Sequence, residues 1–201
     1  MSRDRRPDPF AERHEQSVSA PKSIVPTPAL TQDDLRGRRV IVGAPGLGWR
    51  ADLRADEKVV QGSRTYVPVI PEQDWYRAEL EQVEVFAPLV PVERVWVEKL
   101  AFLQDGDGVS NPAPKHLVSL DAPPEQHPIT AVDARRITGR RLVQVIDGVE
   151  RRDLRAVTET YSSADGEICI RIATELEWYR WVWSGQHPKT LEVPARLLWL
   201  E

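Results

Sequence analysis

The chain has 201 residues, 41% apolar and 29% charged, which suits one large domain or two small ones with a sizeable core. A net charge of −4 and a pI near 5.7 argue against a general polyanion binder. A single cysteine excludes an internal disulfide framework, and no stretch approaches the roughly 20 apolar residues of a membrane-spanning helix. The opening MSRDRRPDPFAERHEQ lacks the apolar run of a signal peptide, so a cytoplasmic location is expected. Seventeen prolines limit helix, and seven tryptophans against three phenylalanines make the placement of the indoles the useful question.

In chain order, residues 1–28 read as a polyampholytic flexible arm. Thr31-x-x-Asp34 predicts a short helical lead-in with the threonine as N-cap. Strand 38–42 follows and runs into VIVGAPGLG, which looks like the glycine turn of a dinucleotide site. Its glycines, 43, 46 and 48, are spaced G-x-x-G-x-G rather than G-x-G-x-x-G, and a strand pattern comes next, so a hairpin loop is expected. ADLRADEKVV, the turn QGSR and TYVPVI form a second hairpin, and Pro71-Glu72-Gln73-Asp74 reads as a turn. The following Trp75 to Leu80 is assigned to a strand, with Tyr76, Ala78 and Leu80 inward and Trp75, Arg77 and Glu79 outward. Val90-Pro91 breaks the chain before a last strand, Arg94 to Glu98, whose Trp96 points outward.

Residues 99–128, with DGDG, NPAP and APPEQHP, read as a Pro-rich linker. DGDGVSN resembles the front of a calcium loop, but His116 stands where the loop needs its bidentate glutamate. A second lead-in, Thr130-x-x-Asp133, then precedes strands 141–146, 153–161 and 167–173, with Asp147-Gly148 as a hairpin turn. In the last of these Ile168, Ile170 and Ile172 share a face, and Cys169, on the other, reads as inert. Trp178 and Arg180 are placed outward with Trp199, and Tyr179, Trp181 and Trp183 inward.

The second half restates the first. Gly37-Arg38-Arg39-Val40 returns as Gly139-Arg140-Arg141-Leu142 at an offset of 102, and Asp52-Leu53-Arg54-Ala55 as Asp153-Leu154-Arg155-Ala156 at 101. Trp75-Tyr76-Arg77 returns as Trp178-Tyr179-Arg180, Val90-Pro91 as Val193-Pro194, and Trp96-Val97-Glu98 as Trp199-Leu200-Glu201, all at 103. Order and spacing kept together indicate a tandem duplication of 37–98 and 139–201, or of 29–98 and 129–201 with the lead-ins. DWYRAEL resembles the central strand of Tudor-type barrels, and VPVERVWVE resembles the turn and last strand of SH3-like ones. The resemblance implies a mainly β chain of two five-stranded SH3-like small barrels.

The four histidines, 14, 116, 127 and 187, stand at no metal-ligand spacing, and no nucleophile motif is present, so neither metal, cofactor nor catalytic residue is assigned. The reading is a non-enzymatic interaction or assembly protein whose partner is another protein or a larger assembly. Trp75, Arg77, Trp96, Trp178, Arg180 and Trp199 are its candidate contacts. One alternative is a nucleic-acid-associated module with Arg38-Arg39, Arg140-Arg141 and Arg151-Arg152 as phosphate contacts, read there otherwise as solvated strand ends. Against it, the first repeat carries 8 basic residues to 10 acidic and the second 9 to 10. An enzyme of unrecognised type is the third reading.

Overall fold

In the computed structural model, which describes residues 19–44, 46, 48–101 and 122–201, the short β-branched runs become strands. The first half contains β1 (Ile24–Pro28), β2 (Arg39–Ala44), β3 (Gly48–Ala55), β4 (Val59–Gln61), β5 (Arg64–Pro71), α1 (Glu72–Glu81), β6 (Leu89–Pro91) and β7 (Val95–Leu100). The second contains β8 (Ile129–Thr130), β9 (Arg141–Ile146), β10 (Val149–Ala156), β11 (Tyr161–Ser162), β12 (Ile168–Thr174), α2 (Glu175–Ser184), β13 (Leu191–Pro194) and β14 (Leu198–Leu200). Strand makes up 45% and helix 18%, so the chain is mainly β.

Each half curls one antiparallel sheet into a half-barrel. The first runs β1-β7-β2-β3-β5-β4 with β6 on β5; the second runs β8-β14-β9-β10-β12-β11 with β13 on β12. The two orders match strand for strand. A single turn of 3₁₀ helix, Val92–Arg94 or Ala195–Leu197, precedes the last strand of each, where the tight turn was expected. Alternation along those last strands is as read: Val95 and Val97, or Leu198 and Leu200, enter the cores, and Trp96 and Trp199 lie on the other side. Leu35, Val40, Leu53, Val67 and Val69 complete one core; Ile137, Leu142, Leu154, Ile170 and Ile172 complete the other. Asp147 and Gly148 both have positive φ, 50° and 75°, as a primed two-residue hairpin turn requires. Gly43 and Gly48 sit in the β2–β3 hairpin, and the Trp49 ring lies where a Cβ on Gly43 would stand, 2.8 Å away.

Several expectations need correcting. The Trp-Tyr-Arg triplets are helical, so each sheet has seven strands with a helix inserted, rather than five strands. The signals are local. Thr174 Oγ1 accepts from the Glu177 N–H at 3.2 Å as a true N-cap, and Gly185 (φ 73°) closes α2 with its N–H on the Trp181 carbonyl. Two acids in the first turn of each helix, Glu72 and Asp74 or Glu175 and Glu177, favour the start electrostatically. The arm ends before residue 28, because Ile24–Pro28 pair in register with Trp96 to Leu100. The lead-ins are not α-helical: Ala29–Thr31 is a 3₁₀ turn in which Thr31 Oγ1 donates back to the Pro28 carbonyl, and Thr130 lies in β8. Residues 1–18 of the arm and 102–121 of the linker, with DGDGVSN, His14 and His116, lie outside the described residues.

Candidate functional site

Strand geometry dictates the site. Leu53 and Ala55 face the first core, so Arg54 between them faces out, directly opposite Arg39 on β2. Arg155 and Arg141 stand opposite each other in the same way in the second half. Like charges in register repel, and each pair needs carboxylates. These come from Glu72 and Glu175, the first residues of α1 and α2, which follow β5 and β12 without a loop. Both glutamates are 1% exposed.

The carboxylates are shared across the seam between the halves. Glu72 lies 3.0 Å from Arg54 Nε and 3.2 Å from Arg39 Nε in its own half, and accepts from Arg155 Nη2 and Tyr179 Oη of the other, each at 2.9 Å. Glu175 accepts from Arg39 Nη2 at 2.5 Å and from Tyr76 Oη at 2.9 Å. The two tyrosine rings stack at the centre, 5.3 Å apart and 23° from parallel. Each hydroxyl also accepts from an arginine, Arg54 at 3.0 Å or Arg155 at 2.6 Å. The last strands contribute a further exchange: Glu98 holds Arg141 at 2.8 and 3.1 Å, while Glu201 faces Arg39 at 3.7 Å and binds Arg152. Each of these residues except Arg152 thus has a counterpart in the other half, and most bonds cross between halves. This is the logic of an isologous interface within one chain.

The electrostatics follow from burial against opposite charge. Burial opposes ionised Glu72, but Arg141, Arg39, Arg54 and Arg155 outweigh it and hold the carboxyl below its ordinary range. Asp52, after the same contest with burial, is held low by Arg141 and Arg155. Arg39, Arg141 and Arg155 are raised despite burial. Burial pushes the Tyr76 hydroxyl up to about 12 and raises Tyr179 also. At Glu201 burial wins over Arg152 and raises the carboxyl.

The residues singled out from sequence fall elsewhere. Trp75 packs against Gly37 and Trp178 against Gly139, where an added Cβ would stand 3.4 and 3.3 Å from the ring. Each indole therefore docks its helix on its own half, and no tryptophan among the described residues enters either core cluster. Trp96 on β7 meets Trp49 on β3 edge-on at 5.1 Å across β2. Trp199 is 6% exposed, in register with Thr130 and Val143, and is not available as a contact surface. Arg77 pairs with Glu81 and Arg180 with Glu177, each on its own helix. The triplet residue that joins the halves is the tyrosine between them. Arg39, Arg141 and Arg152, read as solvated strand ends, are withdrawn into the seam, whereas Arg38, Arg140 and Arg151 remain exposed. Cys169 is buried. Among the described residues no group of three or more potential ligands is placed to hold a metal ion, and no helix is long and apolar enough to cross a membrane.

Comparisons with protein-family models, with curated proteins and with solved structures found no match.

Proposed function

We propose that this chain is a non-enzymatic assembly protein: two SH3-like small barrels derived by internal duplication, locked into one body, that dock a protein partner on their outer surface. The observation that carries this reading is the division of labour among the repeated residues. Arginine, glutamate and tyrosine landmarks join the halves, and the stretch from the end of α1 to β6 is left bearing apolar side chains outward. There Leu80, Val83 and Leu89 are exposed, and Phe86 is 87% exposed. A large aromatic ring in water among other apolar groups is what a protein interface uses and an isolated surface avoids. Arg77, exposed one turn earlier on α1, adds a cation beside that stretch. The nucleic-acid reading loses support, since the arginines Arg39, Arg141 and Arg152 neutralise Glu72, Glu98, Glu175 and Glu201.

The test is affinity purification of the tagged full chain from its native cells, beside Phe86→Asp. A partner enriched by the wild type and lost by the variant, with unfolding unchanged, supports the reading. Identical recovery by both, or none by either from a monomeric protein, refutes it.

A further inference from the structure

The two ends of the seam are chemically unequal. Around Glu72, the Asp52 carboxylate closes the arginine pair, accepting from Arg155 Nη2 at 2.8 Å and standing 3.1 Å from Arg141 Nη2. Its counterpart Asp153 turns outward onto Arg151 at 2.9 Å. The equivalent arginines, Arg39 and Arg54, instead line a cavity of about 230 Å3 together with Arg38 and Arg152. Glu98 and Glu201 also line it. Glu98 is engaged through both oxygens with Arg141, and Glu201 through Oε1 with Arg152, its Oε2 standing 3.7 Å from Arg39 Nη1. The cations have capacity to spare: among the described residues the Arg38 side chain reaches only Asp34, at 3.6 Å and exposed, and Arg39 Nη1 has only the Glu201 carboxylate, at 3.7 Å.

We propose that this cavity binds an oxyanion, a carboxylate or phosphoryl group of a small ligand. Guanidinium forks in a recess shielded from bulk water suit such a group, and the volume exceeds that of several waters. The inference does not depend on the partner-docking reading.

The full chain is titrated with inorganic phosphate and, separately, acetate, with chloride holding ionic strength constant, and followed by calorimetry and thermal unfolding. A saturable response to either anion is expected, and the arm that responds identifies the group. Arg38→Gln, whose side chain is half exposed and outside the seam, should weaken binding about three- to tenfold without altering unfolding of the free protein. Leu100→Glu places a tethered carboxylate at the cavity wall. It should raise the melting temperature without added anion and abolish the response. A response no greater than that to chloride, or wild-type affinity in both variants, overturns the proposal; should Leu100→Glu fail to fold, Arg38→Gln decides alone.

Discussion

The β2–β3 and β9–β10 ribbons carry the same defect and resolve it differently. In each, two residues bulge opposite one: Ala51-Asp52 against Ile41, and Arg152-Asp153 against Val143. In the first half Asp52 takes a left-handed backbone (φ 58°) and turns its carboxylate onto Arg141 and Arg155. In the second, Arg152 turns inward to Glu201 and Glu150 while Asp153 stays at the surface. One pseudo-symmetric seam thus has an end closed by an anion and an end guarded by a cation. What the halves share specifies how they meet; what they do not share distinguishes the two ends.

The shared part should show the largest effects. Glu72→Ala or Glu175→Ala leaves buried guanidiniums without a counter-charge, and each should cost about 3–5 kcal/mol by denaturant unfolding. Near-equal losses would confirm that the ends are equivalent at this level; a loss confined to one would break the symmetry. Next come the glycines beneath the helix-docking indoles. Gly37→Ala and Gly139→Ala put a side chain at φ 73° and 82°, at about 1–2 kcal/mol for the left-handed backbone. The two losses should be alike, since Trp75 and Trp178 stand at nearly the same distance, 3.4 and 3.3 Å, from the added Cβ.

The unshared part should give smaller and unequal effects. Asp52→Asn keeps a residue that tolerates left-handed backbone and removes the charge. Because Asp52 is 57% exposed on its side chain, the loss is discounted to about 1 kcal/mol, and Asp153→Asn should stay within about 0.5 kcal/mol. Equal losses would erase the difference between the bulges.

The pH dependence has two opposed parts. The lowered Asp52 and Glu72 carboxyls contribute stability that is present above the ordinary carboxylate range and lost as pH falls through their lowered values. Glu201 is raised above 4.5, so native protein holds its proton more tightly, and stability declines as pH rises through that window. Glu201→Gln should remove only that decline, read from unfolding at several pH values between 4 and 7.

Much of this was legible in the sequence, though not its purpose. The landmarks that carry the repeat reading include Arg39 and Arg141, Arg54 and Arg155, Tyr76 and Tyr179, and Glu98 and Glu201. In the fold these residues meet at the seam, with Glu72 and Glu175. Their burial was not readable, because an arginine at a strand end goes inside only when carboxylates distant in sequence neutralise it, as Glu98 does for Arg141 across 43 residues and Glu175 for Arg39 across 136. The helices were missed for a different reason. Trp, Tyr and Val in WYRWVW favour strands by propensity, and that pattern concealed the N-cap Thr174 and the stop at Gly185, both written in the chain. For α1, the turn signature Pro71-Glu72-Gln73-Asp74 hides a helix that opens at Pro71. The orientation of Asp52 has no sequence signal, since Asp153 sits in the same motif and turns the other way.

The claim that a buried charge network joins the halves is tested most directly by a double-mutant cycle across the seam, Glu72→Leu with Arg155→Met, followed by equilibrium unfolding. The account predicts two costly single variants and a double variant at least about 2 kcal/mol more stable than their sum implies, because each removal leaves the other charge stranded. Losses that add to within about 0.5 kcal/mol would show that the two side chains do not depend on each other, and would contradict it.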